Sequence, residues 1–132
     1  MVIILDSSYL IALYNEADVH HKKAIDLWSK IKINENSYFI SDHIFDEIIA
    51  VTLRKAGKEK ANNIGQHLIE SINIINVTSQ IFQETWRIFK ETKSNSSFTD
   101  CTNLALLKLI GSNKIATFDK SFKEINNLEI ID

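Results

Sequence analysis

The chain has 132 residues, 45% of them hydrophobic and 24% charged, with 15 basic against 17 acidic residues and a net charge of −2. That is enough for one domain over 1–132 with a real core, and the near-neutral balance excludes a protein that grips nucleic acid by bulk charge; such a partner would need local basic patches and metal ions to offset acidic groups. The single cysteine, Cys101, excludes an intrachain disulfide, the start lacks a basic leader, and no apolar run approaches membrane-spanning length, so the expectation is a cytoplasmic protein with no membrane contact.

Val2-Ile3-Ile4-Leu5 is a continuous apolar run rich in β-branched residues, the pattern of a strand buried on both faces. Asp6-Ser7-Ser8 then starts a helix carrying Tyr9, Leu10, Ala12 and Leu13. Asp18 is read as the cap of a second helix, with Val19, Ala24, Ile25, Leu27, Trp28 and Ile31 near helical spacing. A second strand near Ser37–Ser41 leads into a helix through Ile44, Phe45, Ile48, Ile49, Val51 and Leu53, which Gly57 stops. Lys58–Ser71 reads as another helix, Ile72–Val77 as a third strand, and Thr78 as the cap of a helix through Ile81, Phe82, Trp86 and Phe89. The polar stretch Glu91–Ser97 is the longest loop. Thr99 or Asp100 starts an apolar helix ending near Ile110, with Gly111 as its stop, and Lys114–Phe118 and Leu128–Ile131 are the last two strands. About five strands alternating with about seven helices predict a parallel sheet covered on both faces.

Four acidic residues punctuate this pattern. Asp6 closes the first strand, Glu47 lies one turn into the helix after the second, Asp100 opens the apolar helix, and Asp119 follows Lys114-Ile115-Ala116-Thr117. In a parallel α/β sheet, strand ends converge on one edge, where ligands bind. Carboxylates gathered there repel one another unless cations intervene, and an all-oxygen set suits Mg²⁺ or Mn²⁺, ions adapted to phosphodiester hydrolysis. Each acid taken singly also has an ordinary structural role: Asp6, Asp100 and Asp119 as helix or turn caps, Glu47 as a solvated helix residue. Four at successive element ends are harder to explain that way. Ser8 is either an ordinary first-turn serine or a donor to the cluster or to a phosphate; Thr117 and Thr99 flank acids they could orient, and Asn103 lies one turn from Asp100. Arg54 and Lys55 continue the helix of Glu47 and are the better phosphate-contact candidates among otherwise solvated basic residues. Cys101 reads as a small buried hydrophobe, because no histidine base is assigned to it. His20, His21, His43 and His67 lack paired zinc spacing; only His43, one turn before Glu47, is placed to touch a site group.

These residues resemble the PIN-domain family. Ile4-Leu5-Asp6-Ser7-Ser8-Tyr9-Leu10-Ile11-Ala12 is similar to its opening motif, Ser41-Asp42-His43-Ile44-Phe45-Asp46-Glu47-Ile48 to its second, Ser97-Phe98-Thr99-Asp100-Cys101 to its third, and Ala116-Thr117-Phe118-Asp119-Lys120-Ser121-Phe122 to its fourth. Order and spacing agree over nearly the whole chain, and the length is that of VapC-like toxins; Cys101 departs from the more usual alanine. The resemblance implies a three-layer α/β/α fold around a mainly parallel five-stranded sheet. It implies a Mg²⁺- or Mn²⁺-dependent endoribonuclease acting on RNA, with Asp6, Glu47, Asp100 and Asp119 in the acidic positions. It also implies a small antitoxin partner and a homodimer. The helices Asp18–Lys32 and Ile44–Lys55, with Trp28 and Val51, are the expected antitoxin groove; the later helices around Trp86–Phe89 and Leu104–Ile110 are the expected dimer face. The rivals are an RNA-processing nuclease outside any toxin system and a silent PIN-like module that binds RNA or protein without cutting. Receiver domains and haloacid-dehalogenase-type phosphatases are set aside, because they require an acid just after Asp6, where Ser7 and Ser8 stand.

Overall fold

The computed structural model describes residues 2–33 and 37–132. Strands β1 (Val2–Leu5), β2 (Ser37–Ser41), β3 (Asn73–Ile75), β4 (Lys114–Ala116) and β5 (Glu129–Ile131) form one sheet in the order β3-β2-β1-β4-β5, and every pairing is parallel. The helices among the described residues are α1 (Ser7–Tyr14), α2 (His21–Ile33), α3 (Asp42–Ala56), α4 (Lys58–Ser71), α5 (Ser79–Glu91) and α6 (Phe98–Ile110), with a short 3-10 turn at Lys120–Glu124.

The alternation within β1 sets the layers. Ile3 and Leu5 face a core shared with Tyr9, Leu10, Ala24, Ile44, Ile48, Ile64 and Leu68 of α1 to α4. Ile4 faces the opposite core, built with Ile81 of α5 and Ala105, Leu106 and Leu107 of α6. A strand apolar on both faces therefore becomes the middle of three layers, as expected. The chain winds from β1 out to β3, then returns to lay β4 on the other side of β1. The crevice outside the carboxyl ends of β1 and β4 is thus a topological switch point, the usual ligand site of an open α/β sheet.

Local signals explain most boundaries. Ser41 and Thr78 cap α3 and α5 by accepting from the backbone N–H groups of Ile44 and Ile81, and Gly111 ends α6 in the left-handed conformation that glycine adopts without strain. Two starts differ from expectation. Asp18 does not cap α2: its side chain accepts from the His20 N–H and its carbonyl from the His21 N–H, forming a turn ahead of the helix. Val19 consequently leaves the apolar face and stands 89% exposed. Helix α6 starts at Phe98, because Ser97 and Asp100 form a reciprocal capping box. Strands β3 and β4 are three residues each, shorter than their apolar runs. No helix among the described residues is long and apolar enough to cross a membrane.

Candidate active site

Asp6 is the centre of the crevice. It is 2% exposed, and its side chain does not cap α1 although its backbone precedes that helix. One carboxylate oxygen, Oδ2, accepts from the Ser8 hydroxyl at 2.7 Å and the Thr117 hydroxyl at 2.8 Å; the other, Oδ1, accepts from Asn103 Nδ2 at 3.0 Å. The two hydroxyls are themselves fixed. Ser8 Oγ accepts from the Phe118 N–H and Thr117 Oγ1 from the Asp119 N–H, each at 3.0 Å. With a backbone donor on each oxygen, both hydroxyl protons are free to point at Asp6, which favours its ionised form. Burial acts the other way and is the larger influence: it pushes the Asp6 carboxyl above the usual carboxylate range, against Ser8, Thr117 and the Ser7 N–H, with a further upward push from the charge of Asp119.

Asp100 and Asp119 border the same crevice. Asp100 Oδ2 accepts from the Ser97 N–H at 3.1 Å, and Asp119 Oδ1 accepts from the Ser121 N–H at 2.9 Å. Both acids therefore do the local capping that a structural reading expects of them, each through one carboxylate oxygen. Burial, followed by the charges of Asp6 and Asp119, raises the Asp100 carboxyl to about 6. Desolvation is the leading cause, ahead of the neighbouring charges. Glu47 stands apart. It is partly buried in the second turn of α3 and has no hydrogen bond or ion pair among the described residues. Arg54 is exposed in the last turn of α3, roughly 18 Å of helix rise from the end at the crevice. His43 is exposed and Thr99 partly buried, and neither makes a side-chain hydrogen bond among the described residues. Cys101 is fully buried and its thiol is pushed up, as befits an inert core residue.

Among the described residues, no three acidic, histidine or cysteine side chains stand close enough to hold one metal ion in the positions seen. The donor chemistry nonetheless fits a hard cation: all the acids offer oxygen, and Asn103 Oδ1 is buried without any partner.

A raised Asp100 means that the native metal-free protein holds its proton more tightly than the unfolded chain. Stability is then greatest below the unfolded value of about 4 and falls as pH rises through about 6. In chelator, we expect melting temperature to decline over that window by an amount worth on the order of 1 kcal/mol after solvent screening. Asp100→Asn should flatten that decline; an unchanged slope would contradict the assignment.

A parallel sheet with three acids at its switch point defines a class that sequence comparison also identifies: residues 3–128 match the PIN domain, and the chain belongs to that family. It is 24% identical over 131 residues to the 23S rRNA-specific endonuclease VapC20 of Mycobacterium tuberculosis, covering 98% of both chains. The crystal structure of that protein, described as a toxin cleaving the sarcin-ricin loop, superposes with a TM-score of 0.81 at 23% identity over 92% of this chain and 93% of the other. The DNA-bound VapBC of Salmonella typhimurium is similar in fold, with a TM-score of 0.74 at 14% identity, over 100% of this chain and 98% of that one.

Proposed function

We propose that the protein is a Mg²⁺- or Mn²⁺-dependent endoribonuclease and the toxin of a toxin–antitoxin pair, with Asp6, Asp100, Asp119 and Glu47 as its acidic residues. The observation that carries this reading is the environment of Asp6: a buried carboxylate held by Ser8, Thr117 and Asn103, and electrostatically coupled to the two other crevice acids. Such a centre is costly for a fold to keep without a ligand. A bound cation supplies a water of lowered pKa and positive charge at the scissile phosphate. The chain's own residues do the rest. Ser8, Thr117 and Asn103 hold Asp6 in one orientation, and Asp100, Asp119 and Glu47 would supply the further carboxylate oxygens. Since water is the nucleophile, cleaved RNA should carry 5′-phosphate and 3′-hydroxyl ends. Cyclic phosphate ends would contradict the mechanism.

The antitoxin is assigned here to the groove between α1, α3 and α4, lined by Leu10, Tyr14, Ile48, Val51, Lys55 and Ile64. Val51 and α3 belong to the groove expected from the sequence, while Trp28 packs against Tyr38 at the edge of the core. An apolar helix seated there is the matching partner chemistry. Expression without a partner tests the toxin role. The wild type should arrest growth and Asp6→Asn should not; equal growth of both would replace the toxin by a housekeeping nuclease or a silent binding domain.

A further inference from the structure

Two buried side-chain polar atoms lack a hydrogen-bond partner among the described residues, Asn103 Oδ1 and Ser121 Oγ, and both residues are tied to a crevice acid. Ser121 meets Asp119 through its backbone N–H; it is only partly buried, and a serine hydroxyl finds a partner by changing rotamer. Asn103 has no such freedom. It is fully buried on α6, a helix whose Ala105, Leu106 and Leu107 fill the core, and its Nδ2 donates to Asp6 Oδ1 at 3.0 Å across 97 residues of chain. Turning the amide over would set two acceptor oxygens against each other, so the Asp6 carboxylate fixes which way the side chain points. Asn103 also follows Asp100 by three residues, the spacing that puts two side chains on one face of a helix. The unsatisfied oxygen therefore belongs to a side chain that touches one crevice acid and shares a helix face with another. A leucine of similar volume would leave no orphaned acceptor here, and such an orphan costs about as much as the bond to a charged partner returns.

We propose that Asn103 is a positioning residue of the metal centre: its Nδ2 orients Asp6, and its Oδ1 accepts a hydrogen bond from a water carried by Mg²⁺ or Mn²⁺. This rests on the metal-dependent nuclease reading and adds a neutral member to its four acids. Mg²⁺ keeps several of its waters when a protein binds it, and a water polarised by a cation is a strong donor that needs an acceptor. A further carboxylate at this position would meet Asp6 and Asp100 with like charge, and a lysine would compete with the cation. An amide presents a donor to the carboxylate and an acceptor to the water at fixed spacing, with no charge added. Ser8 and Thr117 are not equivalent to it, because each hydroxyl oxygen already accepts a backbone N–H.

The test measures Mg²⁺ affinity of the full chain by isothermal titration calorimetry without RNA, so that binding is read apart from cleavage. Asn103→Leu should weaken it by about ten- to a hundredfold. Asn103→Asp loses the donor to Asp6 but keeps an oxygen in place of Oδ1, and should bind Mg²⁺ at least as tightly as the wild type. A residue that only orients Asp6 would lose affinity equally in both variants. The crystal structure of the Mg²⁺-loaded wild type gives a second reading that depends on no variant folding: Oδ1 should lie within hydrogen-bond distance of a metal-bound water. Unchanged affinity in Asn103→Leu, equal losses in the two variants, or an Oδ1 that stays unpartnered or ligates the ion itself overturns the assignment and leaves the nuclease reading standing. A wild type that binds no Mg²⁺ sinks the metal reading on which the assignment rests.

Discussion

Asp6→Asn should reduce RNA cleavage by ~10³-fold or more, at least ~4 kcal/mol of transition-state stabilisation, while leaving the fold intact. The new amide oxygen can keep the bond from Asn103 Nδ2, and the new amide nitrogen, in place of Oδ2, can donate one proton to Ser8 Oγ and one to Thr117 Oγ1. Each hydroxyl oxygen also accepts a backbone N–H, so both are then filled and the two hydroxyl protons lose the acceptor that Asp6 gave them. What is lost is a charge whose burial the protein opposes, as the raised Asp6 carboxyl shows. The melting temperature of the metal-free variant should therefore equal or exceed that of the wild type. A variant that melts several degrees lower would show that the Ser8–Thr117–Asn103 network requires the carboxylate for stability. A variant that cuts RNA normally would remove Asp6 from the chemistry.

The layered fold was legible because it is written locally. An apolar four-residue strand, a capping serine or threonine, and a glycine after an apolar helix each specify their element within a few positions, and β1, β2, α3, α4 and α5 fall close to where those signals put them. The misplaced starts have local causes too. Asp18 satisfies its own turn before α2 begins, and Ser97 outcompetes Thr99 and Asp100 as the cap of α6 because its partner three residues on can return the bond. The site was legible only as a set of acids at element ends. Asn103 and Thr117 reach Asp6 across 97 and 111 residues of chain, so the sequence could name them, with the adjacent Ser8, only as candidates to orient an acid. Distance along an element is the other hidden quantity. Arg54 shares a helix with Glu47, yet the two lie about two turns apart, and only the direction of α3 away from the crevice tells which of them is near it.

Chelation should abolish cleavage altogether, and Mg²⁺ or Mn²⁺ should restore it. The physical ground is the mismatch between what the crevice contains and what it can satisfy alone. Asp6 is buried, Asp100 is raised by burial and by its acidic neighbours, and Asn103 Oδ1 has no donor. A cation would relieve all three at once, so its binding must also show in stability. At a hundredfold excess over its dissociation constant, a ligand specific to the native state contributes ~2.7 kcal/mol, a rise of several degrees in melting temperature for a chain of this size. The same addition should lift Asp6→Asn far less, because the centre has lost a negative charge and an oxygen ligand. Because a cation would favour the ionised form of Asp100, the metal-bound protein should also lose the pH-dependent decline assigned to Asp100, its carboxyl having fallen below the window. Thermal melts with and without Mg²⁺ at pH 5 and pH 7 separate the cases. A larger rise at pH 7 than at pH 5, absent in Asp6→Asn, places the ion among these carboxylates. Full activity in chelator with no melting shift would leave the protein a nuclease without a metal centre, and the acidic crevice would need another explanation.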